Sequence, residues 1–197
     1  SLIANGTETD SIIFEPNDAN TTNGSSWQGI KIKDSSWDYT HKVELSYFRI
    51  SYASGSWPSA SLVVYNKQSD NSGVDSVMIS HGLIHNANNS GVQVYGNRRD
   101  TNYGLAGTKP YVHLSNLHIH SCNERGLYIE YNYETEIKID SLNIHDNNQE
   151  GVALNYNYDN TMVSIDSIRL VNNYTGLYVY RQQSGSKLKV RNGDFHS

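Results

Sequence analysis

The sequence predicts an all-β fold of stacked coils, and three observations support this prediction. Four glycines, Gly91, Gly126, Gly151 and Gly176, each open a short alternating apolar segment, and these segments start 35, 25 and 25 residues apart. A period in this range is typical of repeat proteins, in which each repeat buries its apolar face against its neighbours. The 15 Tyr, with Val and Ile, suit half-buried strands, and the 15 Gly and abundant Asn suit tight turns.

Each segment of a second set contains two apolar–x–apolar triplets. A two-residue bend, such as Ser115-Asn116, separates the two triplets. Period-2 alternation places Val112, Ile119 and their equivalents inside and His118 outside. We therefore expect three short strands per coil, two from this segment and one opened by the glycine. Six to seven right-handed coils would form a single domain over residues 1–197, expected to be a fragment of a longer protein. The segments begin at Val43, Val77, Val112, Ile137, Val163 and Leu188.

Equivalent positions of these segments form columns along the predicted stack. One inward column is wholly apolar and consists of Ile50, Ile84, Ile119, Ile144, Leu170 and Phe195. The glycine column marks positions that need a positive φ or that have no room for a Cβ atom. Three residues before each of these glycines lies an asparagine, a spacing that suits a ladder of side-chain amides: Asn88, Asn123, Asn148 and Asn173.

The N-terminal segment SLIANGTETDSIIFEPND…SSWQGIKI resembles the opening pattern of many extracellular β-helix modules, and the repeats from Val77 onward are similar to the generic repeat. The chain thus resembles the right-handed parallel β-helix superfamily, which has the pectate-lyase-like fold. That resemblance implies the fold but not an activity, because the superfamily includes lyases, hydrolases, tailspikes and adhesion proteins. The resemblance also implies that the chain could be one module of a large extracellular surface protein. SHGLIH at Ser80 is the nearest match to an enzymatic motif, and it lacks the neighbouring carboxylates.

Composition narrows the possible functions. A net charge of −5 without a Lys/Arg cluster argues against nucleic acid, and no apolar run approaches the ~20 residues of a membrane span. The lone Cys122 excludes an internal disulfide and is interpreted as a small packing residue. Five Asn-x-Ser/Thr sequons are candidate glycosylation sites and support secretion weakly: Asn5, Asn20, Asn23, Asn88 and Asn173.

The clearest candidate for chemistry is a histidine column. His85, His120 and His145 occupy equivalent positions, followed by Val171 and His196. Adjacent imidazoles could share a metal ion, or one could act as a proton-transfer base. We favour a surface ladder of repeated residues, because no column of carboxylates orients these rings. No metal and no cofactor are therefore expected.

The second candidate is aromatic. Tyrosines project outward from the glycine-led strands and their ends, with Asn and Gln between them, and such a surface suits sugar rings or a protein partner. Self-stacking of exposed tyrosines across coils is the alternative. The candidate ligand-binding residues are Tyr65, Tyr95, Tyr128, Tyr131, Tyr156, Tyr178 and Tyr180.

Three further features are less specific. Asp140 and Asp166 occupy equivalent bends, where like charges would raise one pKa, although bends favour Asp for turn reasons alone. Residues 97–110 form an insertion, and residues 53–60 contain Trp57 in a second irregular loop. Insertions of this kind often recognise ligands in solenoids, and neutral variation in loop length is the alternative.

The sequence thus favours a non-catalytic extracellular module, secreted or at the cell surface, that acts as a scaffold or binds a polysaccharide or an extracellular protein. The alternative is a carbohydrate-active enzyme, a lyase or glycosidase, that uses the histidine column.

Overall fold

The computed structural model describes residues 2–16, 27–33, 42–53, 59–65, 68–69, 76–99 and 109–196. These residues form strands and turns, with no helix among them. Two large sheets are present, and every strand pairing in them is parallel. The prediction of an all-β fold of stacked parallel strands is therefore confirmed.

Sheet A contains eight of the described strands, and neighbouring strands come from successive repeats. They are β1 (Leu2–Asn5), β2 (Ile12–Phe14), β4 (Lys42–Ser51), β7 (Ser76–His85), β10 (Tyr111–His120), β12 (Glu136–His145), β14 (Met162–Val171) and β16 (Lys187–His196). Sheet B contains β3 (Ile30–Lys33), β5 (Ala60–Tyr65), β8 (Ser90–Tyr95), β11 (Leu127–Glu130), β13 (Glu150–Asn155) and β15 (Thr175–Tyr180). A third, two-stranded sheet pairs β6 (Gln68–Ser69) with β9 (Arg98–Arg99).

Each ten-residue strand of sheet A bends near its middle, at the position expected from the sequence. Its bend residue adopts the left-handed conformation, and the chain continues in register on both sides, so that Ser115 pairs with Asp140 and His118 with Asn143. The two short strands expected on either side of the bend are therefore one continuous bent strand in each of these repeats. The bend residues, with φ between 48 and 56°, are Tyr47, His81, Asn116, Ser141, Ser167 and Asn192.

The apolar core lies between sheets A and B. The predicted inward column pairs residue for residue across sheet A, and its members from Ile50 to Leu170 are at most 1% exposed. Phe195 ends the column and is 47% exposed, because β16 is the edge strand. Burying each such side chain contributes roughly 1.5–3 kcal/mol relative to leaving it in water.

The expected asparagine ladder is divided between two places in the structure. Asn88, Asn123 and Asn148 form a loose row, mostly exposed, with amide contacts of 3.5 Å. Asn173 does not continue this row, since its Oδ1 accepts from Asn147 Nδ2 at 2.8 Å in a more buried position. The reason is that the last turn is one residue shorter, which shifts Asn173 by one position.

A tighter amide ladder lies at the end of the sheet B strands and was not predicted. Asn97 Nδ2 donates to Asn132 Oδ1, and Asn132 Nδ2 donates to Asn157 Oδ1, both at 2.9 Å. Asn157 Nδ2 then donates to Gln182 Oε1 at 3.2 Å. The three asparagines are fully buried. The ladder therefore ties successive repeats together at the point where each chain segment leaves sheet B.

Candidate functional site

A row of tyrosine rings follows the end of the sheet B strands from one repeat to the next. We call it the tyrosine strip. The centroid distances between successive rings are 5.4, 5.7, 5.1 and 5.4 Å. The strip thus spans five neighbouring strands of sheet B, from β5 to β15. Its members are Tyr65, Tyr95, Tyr131, Tyr156 and Tyr180.

The strip depends on an unusual backbone conformation at two of its members. Tyr65, Tyr95 and Tyr180 are the last residues of their strands, whereas Tyr131 and Tyr156 lie one residue beyond theirs. Tyr131 and Tyr156 have φ of 53° and 49°, a region that is uncommon for non-glycine residues. The left-handed turn brings their rings back into line with the strand-end tyrosines.

Ring packing in the strip determines what a ligand could touch. Tyr131 and Tyr156 are stacked with an interplanar angle of 2°, so the faces between these two rings are occupied. The Arg181 guanidinium lies 5.1 Å from the Tyr180 centroid, and Lys33 Nζ lies 5.5 Å from that of Tyr65, so a cation lies at each end. The strip therefore offers ring edges and hydroxyl groups more than open ring faces.

The two remaining predicted tyrosines project from an adjacent column of sheet B. Tyr178 is 41% exposed and lies 6.3 Å from Tyr180, next to the strip. Tyr128 is half-buried, and the Arg125 guanidinium lies over its ring at 4.4 Å. All seven predicted tyrosines therefore lie on one face of sheet B, but the ring face of Tyr128 is already covered.

A buried carboxyl beside the strip was missed by sequence reasoning. Glu130 Oε1 accepts from Gln93 Nε2 at 2.7 Å, and the Tyr128 hydroxyl also hydrogen-bonds to Glu130. Burial raises the pKa of Glu130, partly opposed by these two hydrogen bonds. Two acceptors in this cluster, Gln93 Oε1 and Asn155 Oδ1, are buried without a hydrogen-bond partner. The sequence gives little indication of this carboxyl, because Glu130 aligns with Tyr95 and Asn155 in the neighbouring strands and not with another acid.

The histidine column lies at the end of the sheet A strands, in the predicted register. His85 and His120 stack at 5.4 Å, and His120 and His145 at 4.9 Å, with interplanar angles of 10° and 2°. Because the rings stack face to face, their nitrogens do not converge on a common point. Within the described parts of the chain, no three His, Cys, Asp or Glu side chains form a group that could hold a metal ion.

A fourth histidine, His118, completes an imidazole cluster with the three rings of the column. Its Nε2 lies 2.6 Å from His145 Nε2, and its ring centroid lies 5.1 Å from that of His120. His145 Nδ1 lies 2.6 Å from Asp146 Oδ2, so a carboxylate does orient one ring of the column, contrary to our expectation. Sequence reasoning placed His118 outside but did not connect it with the column, because it faces His145 diagonally.

Protonation is unfavourable for three rings of the imidazole cluster, those of His85, His118 and His120. Burial lowers the pKa of His120 to about 4, with further contributions from His118, His145 and His85. Burial is the main cause that lowers the pKa of His118, and the nearby His145 and His85 rings contribute less. Burial is also the main cause that lowers the pKa of His85, with a smaller contribution from Arg49. These three rings are therefore neutral at pH 7.

The other candidates are placed as follows. Burial alone would raise the pKa of Asp140, but its hydrogen bonds with Lys138 and His113 outweigh burial and lower it. The raised pKa expected for one of the two bend aspartates is therefore not found at Asp140. Cys122 is 1% exposed, and burial raises the pKa of its thiol to about 12, which fits a packing residue. An open cleft on sheet A, which includes Arg49 and His81, contains no residue of the strip or of the imidazole cluster.

The glycosylation candidates differ in their surroundings. Asn5 is exposed, whereas the Asn173 amide donates to the Ile144 and Val171 carbonyl oxygens. Asn88 is half-buried. Asn20, Asn23, Trp57 and residues 100–108 of the long insertion lie outside the described residues.

Comparison with protein-family models, with curated proteins and with solved structures gives no significant match. No helix in the described segments is long and apolar enough to cross a membrane. The class that the structure defines is an all-β protein of stacked parallel sheets, consistent with a parallel β-solenoid.

Proposed function

We propose that this chain is a non-catalytic extracellular module that binds a polysaccharide along the tyrosine strip. In this proposal the stacked sheets form a right-handed parallel β-helix of six to seven coils within a larger secreted or cell-surface protein. The single observation on which the proposal rests is the regular step of the strip, between 5.1 and 5.7 Å over five rings.

The spacing between successive rings favours a ligand that repeats at a similar distance. Strands of neighbouring coils are ~4.8 Å apart, so any row of equivalent side chains repeats at close to this distance. This spacing is close to the length of one pyranose residue in an extended β-linked chain. Such a glycan lying parallel to the stack would present one sugar residue to each tyrosine.

The chemistry of the strip agrees with this ligand class. The ring edges of the strip offer apolar area for sugar C–H groups, and each tyrosine hydroxyl both donates and accepts hydrogen bonds. Sugar hydroxyls can both donate to and accept from the hydroxyl groups of the strip.

The test measures binding of β-linked and α-linked oligosaccharides of increasing length by calorimetry. We expect affinity for the extended β-linked series to rise with length up to about five residues, one for each ring. The double variant Tyr131→Asn/Tyr156→Asn, in which Asn tolerates the left-handed backbone, should bind at least tenfold more weakly.

Tyr47→Asn supplies the matched control, because Tyr47 also has a positive φ and a stacked ring but lies on sheet A. It should bind as the wild type does. If no glycan of the panel binds, or if the double variant binds as tightly as the control, the polysaccharide proposal is wrong.

A carbohydrate-active enzyme that uses the histidine column remains the second candidate, favoured by the hydrogen bond between His145 and Asp146. A carboxylate that orients an imidazole is a common arrangement in proton-transfer catalysis. This candidate predicts that the protein releases new reducing ends or unsaturated sugars from a polysaccharide, and that His145→Val abolishes the release. The binding-module proposal predicts no release.

A further inference from the structure

We propose that His118 and His145 form a two-imidazole site for a borderline divalent transition metal of the Cu²⁺, Ni²⁺ or Zn²⁺ type. The site lies on sheet A, away from the tyrosine strip, and does not depend on the polysaccharide proposal. Imidazole nitrogen is a favoured ligand for these ions, whereas hard cations such as Ca²⁺ prefer oxygen.

The separation of the two nitrogens is the first argument. His118 Nε2 and His145 Nε2 lie 2.6 Å apart on neighbouring strands. For metal–nitrogen bonds of ~2.0–2.1 Å, two ligands at the right angle of square-planar or octahedral Cu²⁺ and Ni²⁺ lie about 2.9 Å apart, whereas the tetrahedral angle that Zn²⁺ prefers needs about 3.3 Å, so the pair fits Cu²⁺ and Ni²⁺ better. Opening the pair by a few tenths of an ångström therefore converts it into a pair of adjacent ligands, which small side-chain rotations can supply.

The second argument is that His145 is already oriented for coordination. Its Nδ1 lies 2.6 Å from Asp146 Oδ2, which places a proton on Nδ1, so the neutral His145 ring has its lone pair on Nε2. A carboxylate in this outer position is the usual partner of a metal-ligating histidine, and it fixes the tautomer and raises the basicity of the ligand.

The hydrogen bond between the His118 and His145 rings contains one proton, and its position follows from the tautomer of His145. With the lone pair on His145 Nε2, His118 Nε2 donates the hydrogen bond in the metal-free state. Metal binding requires neutral His118 to carry its proton on Nδ1 instead, so that both Nε2 atoms face the ion. No net proton is released when both rings are neutral.

The remaining coordination positions face solvent. His120 Nδ1 lies 3.0 Å from Ser121 Oγ, and its ring stacks on His145 instead of converging with it. The His145 side chain is 24% exposed, so water can complete the coordination shell. The chain therefore supplies two ligands, and an exchangeable partner group could occupy an open position.

The repeats themselves provide the test variants. At the same register, β14 has Val171 where β12 has His145, and β12 has Asn143 where β10 has His118. His145→Val and His118→Asn therefore place residues that the fold already accepts at those positions. His81→Asn is the matched control, since His81 is an exposed histidine at a bend where Asn116 occupies the equivalent position.

The experiment titrates tag-free protein with Cu²⁺, Ni²⁺ and Zn²⁺ by calorimetry at pH 7.5, and follows the imidazole C–H signals by NMR. We expect one equivalent of at least one of these ions to bind and to perturb the His118 and His145 signals. Each single variant should lower the affinity at least tenfold, whereas His81→Asn leaves it unchanged.

Circular dichroism and thermal melting with a chelator show whether the two variants are folded. Equal affinity in the wild type, in His145→Val and in His118→Asn would overturn the proposal, as would the absence of binding by the wild type. If a single variant does not fold, the NMR signals of the wild type decide, since perturbation confined to other histidines contradicts the site.

Discussion

Ile144 occupies the space that a side chain on Gly126 would need. A Cβ atom built on Gly126 would lie 2.3 Å from Ile144 Cγ2 and 2.8 Å from the carbonyl oxygen of Gly151. Gly126 does not have a positive φ, so the backbone conformation itself does not require glycine. At Gly91 and Gly126 the glycine is therefore required because sheet B packs closely against the apolar column of sheet A, whereas at Gly151 the nearest side chain is that of Asn173.

Gly126→Ala is accordingly expected to destabilise the protein by about 1–3 kcal/mol, since an extra methyl group is forced into a filled core. Urea denaturation measures the change in the free energy of unfolding. Gly176→Ala is the control in the same column, because its nearest neighbour, Phe195 Cδ1, lies 3.4 Å away. It should change the free energy by less than about 0.5 kcal/mol. Equal effects of both variants would show that close packing is not the cause.

The buried amide ladder should be more important for stability than the exposed asparagine row. Asn132 Oδ1 accepts from Asn97, and Asn132 Nδ2 donates to Asn157 Oδ1 and to the Val94 carbonyl oxygen. Asn132→Ala leaves several of these buried groups unpaired, each costing about 1–3 kcal/mol. We expect a loss of about 3 kcal/mol or more in urea denaturation.

Asn148→Ala tests the exposed row with the same chemistry. Asn148 Nδ2 contacts Asn123 Oδ1 at 3.5 Å in an exposed position, so its loss should cost less than about 0.5 kcal/mol. If Asn148→Ala lowers the free energy of unfolding as much as Asn132→Ala does, the buried amide ladder is not more important for stability than the exposed asparagine row.

The imidazole cluster predicts a loss of stability in acid. The folded-state pKa of His120 is lowered from 6.5 to about 4, so its contribution is fully present above pH 6.5 and is lost as the pH falls toward 4. His120→Val removes this titrating ring, and the same register position holds Val171 two strands away. The difference in unfolding free energy, wild type minus variant, should therefore decrease as the pH falls from 7.5 to 4.5.

Chemical denaturation at each pH measures this difference. A wild-type advantage that grows on acidification would contradict the lowered pKa of His120.

The sequence predicted the features that repeat and missed those that depend on neighbouring coils. Alternation identified Ile84, Ile119 and Ile144 as one buried column, because apolar burial is imposed on every repeat alike. The ladder through Asn97 and Asn132 escaped notice because asparagine is abundant and turns of unequal length obscure the register.

The site shows the same division. The tyrosines were recognised because they recur, whereas the mutual stacking of their rings depends on side-chain rotations. His118 faces His145 only because adjacent strands place a mid-strand ring beside a strand-end ring, and spacing within one repeat does not show this diagonal contact. Glu130 was missed because it has no acidic partner in neighbouring coils, although burial raises its pKa.

Glu130→Gln is expected to change the pH dependence of stability in the opposite direction to the histidines. Burial raises the pKa of Glu130 above the ordinary 4.5, so its contribution to stability is fully present below pH 4.5 and is lost as the pH rises through the folded-state pKa. The Gln side chain is neutral and can still accept from Gln93 Nε2, while its amide group can donate to the Tyr128 hydroxyl. The variant should therefore gain stability relative to the wild type between pH 4 and pH 8.

The measurement is the difference in unfolding free energy between variant and wild type at pH 4, 6 and 8, because the titration of all other groups largely cancels in this difference. Glu136→Gln, which removes an exposed carboxyl on sheet A, is the control for the loss of one carboxylate elsewhere in the protein. A Glu130→Gln difference that is independent of pH, or that falls as the pH rises, would mean that folding does not raise the pKa of Glu130 and that its carboxyl is ionised at neutral pH. Glu130 would then be available as a permanent negative charge beside the tyrosine strip, which would disfavour acidic glycans as ligands.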